Sequence, residues 1–160
     1  HFAIAPLTTS GDHLLIGNGA TELIAVVCRS IVRNLGLAVP TFGEYLHGLK
    51  SSKAARLYHL NAKKDYHLNL ASYLAWARSR RLRAVLVTNP ANPTGQLHPI
   101  EELREFLTSA QDMDLVVVDE SFIDFAGDPI PTLLTHADEF PNLLVVRSMS
   151  KHCGVAGLRI

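Results

Sequence analysis

Leu115-Val116-Val117-Val118-Asp119-Glu120-Ser121-Phe122 decides the fold. Four apolar residues in a row suit a strand buried on both faces, as in a parallel sheet covered by helices. A strand with one face in water would alternate. The run stops on a carboxylate, where such a strand would reach the edge of its sheet. The same grammar recurs on either side. Leu14–Ile16, Leu37–Val39, Leu57–His59, Ala84–Val87 and Leu143–Val146 read as further strands. The segments between them carry helical spacing. Residues 20–34 set Leu23, Ile24, Val27, Ile31 and Val32 on one face, and residues 69–79 turn Leu70, Leu74 and Ala77 inward. Residues 99–110 open with Pro99 at the first helical position and Glu101 and Glu102 in the first turn. Their apolar stripe is Ile100, Leu103, Phe106 and Leu107. The alternation predicts an α/β fold of three layers, with helices on both faces of a mostly parallel sheet.

Composition narrows the function classes. The 160 residues hold fifteen basic and fifteen acidic side chains and are 48% hydrophobic, so no basic field is present to hold nucleic acid. No apolar run reaches the roughly 18 residues of a membrane span. No signal-peptide pattern is visible, and a cytoplasmic location is expected. Cys28 and Cys153 are too few for a disulfide framework; Cys28 reads as helix packing. His152 and Cys153 fit no nucleophile or metal pattern, the eight histidines show no close ligand spacing, and no metal is expected.

Five apolar runs lead at once into a polar or glycine-containing cluster. These are Gly17-Asn18-Gly19-Ala20-Thr21-Glu22, Pro40-Thr41-Phe42-Gly43-Glu44-Tyr45, Thr88 to Gly95, Asp119 to Phe122, and Arg147-Ser148-Met149-Ser150-Lys151. In a parallel sheet they share the carboxyl edge, where open α/β folds bind ligands. Gly17-Asn18-Gly19 before an amphipathic helix offers backbone N–H groups to a phosphate, or is a plain glycine turn with Thr21 near the cap. A dinucleotide fingerprint needs a third glycine where Glu22 stands, and the Gly-Lys-Ser/Thr of a P-loop is absent. Asp119 at a strand end is costly without a donor or cation, such as a protonated heterocyclic nitrogen; otherwise it caps a turn. Glu120 should point elsewhere. Lys151, preceded by Ser148 and Ser150, is a candidate nucleophile or a solvated surface charge, and Arg159 could clamp a phosphate. In Asn89-Pro90-Ala91-Asn92-Pro93-Thr94-Gly95 two prolines stiffen the loop and leave asparagine amides for a ligand, with Asn92–Pro93 a candidate cis bond.

With these motifs in order, the chain resembles the fold type I pyridoxal-phosphate enzymes, the class I/II aminotransferases, in their histidinol-phosphate aminotransferase and threonine-phosphate decarboxylase branch. The match rests on Gly17 to Glu22, Asn89 to Gly95, Asp119 to Phe122, and Ser148 to Lys151 followed by Ala156-Gly157-Leu158-Arg159, and it covers nearly the whole chain. The resemblance implies pyridoxal 5'-phosphate (PLP) as cofactor, held by a Schiff base to Lys151, which also shuttles the proton. It implies Asp119 against the pyridine nitrogen, Asn92 on the phenolic oxygen and Phe42 stacked on the ring. It places the phosphate with Gly19, Ala20, Thr21, Ser148, Ser150 and Arg159. Phe122 departs from the pattern, because many relatives carry there a tyrosine whose hydroxyl reaches the phenolic oxygen. Phe122 and Phe42-Gly43-Glu44-Tyr45 lean toward the decarboxylase branch.

Transamination between an amino acid or amino phosphate and a 2-oxo acid is the expected reaction. The alternatives are decarboxylation of an amino acid phosphate on the same scaffold, and a fragment that only binds cofactor. A nucleotide-binding domain would rest on the Gly-Asn-Gly turn alone. Family members run to roughly twice this length or more. Residues 1–160 therefore read as the central part of the cofactor-binding domain of a homodimeric enzyme, without its N-terminal segment and small C-terminal domain.

Overall fold

The computed structural model describes residues 14–30, 34–49 and 54–154. Five parallel strands form one sheet in the order β2-β1-β3-β4-β5. They are β1 (Leu35–Val39), β2 (Ala55–His59), β3 (Ala84–Thr88), β4 (Leu115–Asp119) and β5 (Leu143–Val146). Alternate residues of the central strands feed two separate cores. Val85, Val87, Val116 and Val118 pack against Leu70, Tyr73, Leu74 and Ala77 of α3 (Leu70–Ser79) and Leu103, Phe106 and Leu107 of α4 (Ile100–Ser109). Ala84, Leu86 and Val117 face the other way, toward Ile24 and Cys28 of α1 (Gly19–Ser30) and Tyr45 of α2 (Glu44–Gly48). The three-layer expectation holds, and the continuous valine run is continuous because both faces are covered.

Helix boundaries follow their caps. Asn69 precedes α3, and its side-chain oxygen accepts the Ser72 N–H at 2.8 Å. Pro99 stands as the cap of α4, so the helix begins one residue later than expected. Ile31 and Val32, expected on the face of the first helix, lie outside the described residues. One expected strand is absent. Leu14–Ile16 forms no strand, and its three side chains are exposed. A three-residue apolar run has no conformational preference strong enough to act alone, and among the described residues no strand lies beside it to supply the pairing.

Helix α2 sits tightly on α1. A Cβ on Gly48 would meet Cys28 Cβ at 3.0 Å, and the Cys28 thiol donates to the Tyr45 carbonyl at 3.4 Å. Burial pushes the Cys28 thiol up to about 11 from an ordinary 9.0. A group that resists ionising only when folded stabilises fully below its unfolded value and loses that contribution as pH climbs through the folded one. Thermal stability is therefore expected to fall between pH 9 and 11, and Cys28→Ala to flatten part of that fall in melts taken across the range.

Candidate active site

Asp119 closes β4, two residues beyond Val117, so its side chain turns to the α1/α2 face. It is buried, with two donors in place. The Tyr45 hydroxyl donates to Oδ2 at 2.7 Å and the Ser121 N–H donates to Oδ1 at 2.8 Å. Sequence reasoning asked for a donor here and did not find Tyr45, which lies 74 residues away along the chain. Burial, and then the Asp119 charge, push the Tyr45 hydroxyl far above the usual phenol range, so it stays a donor. Glu120 turns away as expected. It accepts from Thr132 Oγ1 at 2.6 Å and the Leu133 N–H at 2.7 Å, with Arg147 Nη1 at 3.8 Å.

The ladder runs one residue past the strands. Asn89 N–H donates to the Asp119 carbonyl and Glu120 N–H to the Val146 carbonyl, each at 2.8 Å. This sets the loops after β3, β4 and β5 side by side. In the first of them the two asparagines part roles. The Asn89 amide is taken up by His98: Oδ1 accepts its N–H at 2.7 Å and Nδ2 donates to its carbonyl at 3.2 Å. Asn89, fully buried, braces the loop through both amide atoms, which corrects the expectation that its amide faces a ligand. Asn89→Ala would bury the His98 N–H and carbonyl without partners, and a loss of about 2 kcal/mol is expected in denaturant melts. Asn92, after a cis Asn89–Pro90 bond and before a cis Asn92–Pro93 bond, lines a cleft of about 400 Å³ together with Pro90, Leu97, Phe122, Phe125 and Ala126.

Lys151 lies on α5 (Met149–His152), which starts directly beyond β5. Its Nζ sits 5.1 Å from the centroid of the Phe122 ring, so the lysine and the cleft adjoin. Ser148, the cap of α5, is buried, and Ser150 is half-buried. Phe42 stands exposed between β1 and α2, at the same edge of the sheet. Thr41 Oγ1 lies 3.4 Å from Thr88 Oγ1 and links that loop to the end of β3. Helix α1 leads within a few residues into the start of β1, so its polarity points Gly19, Ala20 and Thr21 toward the carboxyl edge. There the Asn18 N–H is already taken by Glu22 Oε2 at 2.5 Å, and the Gly19 N–H by the Gly17 carbonyl at 2.9 Å. The turn thus keeps fewer donors than expected, which leaves Ala20 and Thr21 as its phosphate candidates. Arg159 lies outside the described residues. Among the described residues, no group of three or more His, Cys, Asp or Glu could hold a metal ion, and no helix is long and apolar enough to cross a membrane.

The sequence profile of the family "Aminotransferase class I and II" matches residues 3–160. The chain belongs to the class I and II aminotransferases. This family uses PLP. An L-serine phosphate decarboxylase of Campylobacter jejuni is 35% identical over 156 residues, covering 92% of this chain and 39% of the relative. A histidinol-phosphate aminotransferase of Shouchella clausii is 34% identical over 151 residues, covering 92% and 40%. A solved decarboxylase from Sulfurospirillum multivorans superposes with a TM-score of 0.86 at 29% identity, covering 94% of this chain and 44% of that one. The chain thus spans less than half the length of these class I and II relatives. The site residues fit the cofactor. An ionised carboxylate has about four lone-pair directions, and Tyr45 and Ser121 occupy two, so Asp119 retains capacity for a ring N–H. Next to the cleft that Asn92 lines, a lysine amine and an aromatic face are within reach of each other.

Proposed function

We propose that the full-length protein uses PLP on a phosphorylated amino acid and removes its α-carboxylate. The observation that carries this reading is Phe122, a ring without a hydroxyl, placed beneath Lys151 where many transaminating relatives carry tyrosine. The similarity to an L-serine phosphate decarboxylase and to a solved decarboxylase supports it. A phosphorylated substrate is further supported by the histidinol-phosphate aminotransferases, whose names also carry a phosphate.

When bound, the cofactor supplies an electron sink for negative charge developing on the substrate α-carbon. The remaining roles fall to the chain. Asp119 accepts the ring N–H and, as an ionised partner, favours the protonated nitrogen. Asn92 donates to the ring oxygen without help from Phe122. Phe42 covers one ring face. Ala20, Thr21, Ser148 and Ser150, with Arg159, hold the phosphate and fix the ring against translation. Lys151 Nζ carries the covalent attachment and later holds the proton that is delivered to the substrate. The proposed active unit is a homodimer.

Transamination with a 2-oxo acid is the second reading, favoured by the histidinol-phosphate aminotransferase similarity at 34% identity. One assay separates the two. The full-length protein, loaded with PLP, is given O-phospho-L-serine or O-phospho-L-threonine with and without 2-oxoglutarate. Release of carbon dioxide without the oxo acid supports decarboxylation. Turnover that needs the oxo acid and consumes it one for one establishes transamination instead.

A further inference from the structure

Tyr45 has no role in the assignments above, yet it is the largest side chain committed to Asp119. It is buried on the short helix α2, and its ring packs among Ile24, Leu37 and Val117. Its one polar atom donates to Asp119 Oδ2 at 2.7 Å. The carboxylate is thereby gripped from two sides: Ser121 N–H, two residues along the strand's own continuation, and Tyr45, from the helix that follows the Phe42 loop. The backbone of Tyr45 is anchored in turn, because its carbonyl accepts the Cys28 thiol and Gly48 leaves no room for α2 to slide on α1.

We propose that Tyr45 is a positioning residue for the cofactor ring nitrogen: its hydroxyl holds the Asp119 carboxylate in one orientation and stabilises its charge. This rests on the reading of Asp119 as the partner of that nitrogen. The physical argument has two parts. A carboxylate on a single bond can rotate, and two donors on different oxygens remove that freedom. A hydroxyl that donates to the carboxylate also stabilises its charge, so a proton shared with a ring nitrogen resides on the nitrogen. Burial pushes the Tyr45 hydroxyl well above the usual phenol range, which favours its role as a donor.

The test uses the full-length protein and three chains: wild type, Tyr45→Phe and Asp119→Asn. Each apoprotein is titrated with PLP and with its 1-deaza analogue, in which carbon replaces the ring nitrogen, and the dissociation constants are read by fluorescence. The visible spectrum of the PLP complex is followed against pH. Tyr45→Phe is expected to bind PLP about tenfold more weakly, the size of one hydrogen bond to a charged group. It is expected to bind the deaza analogue as wild type does, and to shift the spectral titration of the PLP complex. Equal weakening toward both ligands, no weakening toward either, or loss of the apoprotein fold would make Tyr45 a packing residue and overturn the proposal. Asp119→Asn that binds PLP as tightly as wild type would instead remove the reading of Asp119 itself.

Discussion

Lys151→Ala is expected to leave the full-length protein folded and to lower its turnover by at least roughly 10³-fold. Two observations separate the effects. Lys151 is exposed on α5, and its noted partner is the Phe122 ring at 5.1 Å, a cation–π contact worth about 0.5–1 kcal/mol at such a site. Its removal should hardly move the melting temperature. The amine, by contrast, is proposed both to attach the cofactor and to carry the proton, and the other described lysines, Lys63 and Lys64, follow β2 at the far end of the strand order. Borohydride reduction of the PLP-loaded wild type, followed by peptide mass mapping, should give one pyridoxyl adduct, on Lys151, and none in the variant. Adducts scattered over surface residues such as Lys63 and Lys64 would contradict the assignment.

Glu120→Ala should have the opposite profile, with a large loss of stability first and of function as a consequence. Glu120 is fully buried, and burial raises its carboxyl above the usual range, against the pull of its hydrogen bonds to Leu133 and Thr132 and the charge of Arg147. Arg147 is bound in turn to Asp124 and to Thr132 Oγ1. The network ties the segment after β4 to the end of β5, one residue before Ser148. Deleting the carboxylate leaves the Leu133 N–H buried without its acceptor and strips Arg147 of one of its two anionic neighbours. The expected cost is about 3 kcal/mol, read as a lower urea midpoint. Glu120→Gln keeps an acceptor for Leu133 and should lose about half as much. Equal losses would mean that the charge of Glu120, rather than its acceptor geometry, matters.

What could be read in the sequence was whatever depends on neighbours along the chain. The Leu115–Val118 run announced burial on both faces, and the carboxylate after it announced an edge. Both are local facts, and the three-layer sheet followed from repeating them. That Asp119, Asn92, Phe122 and Lys151 would share one edge was legible because each sits at a strand end or in a stiff loop, and the sheet brings strand ends together. The misread features depend on tertiary partners. Asn89 and Asn92 look alike in a loop that repeats Asn-Pro, and only the fold puts the His98 backbone against one of them. Leu14–Ile16 has a strand's composition and, among the described residues, no strand to pair with. The Tyr45–Asp119 bond spans 74 residues, and the one hint of it was an aromatic residue three positions after Phe42. The donors at the start of α1 were overcounted because Glu22 reaches back to Asn18, a local bond that the glycine pattern concealed.

The strand order has a consequence for how such a chain comes to exist. With every neighbouring pair parallel there is no hairpin to start from. The pairing nearest in sequence, Leu35 with Ala55, joins residues twenty apart, and β1 also waits for Ala84 of β3. Loop closure must precede the contacts that reward it, so such sheets are slow to form. On a ribosome the segment bearing Lys151 emerges after all five strands. Until then β4 can present Asp119 on an unpaired, strongly apolar edge, a template for association with another chain. The period of greatest aggregation risk and the period before the cofactor lysine exists are therefore the same.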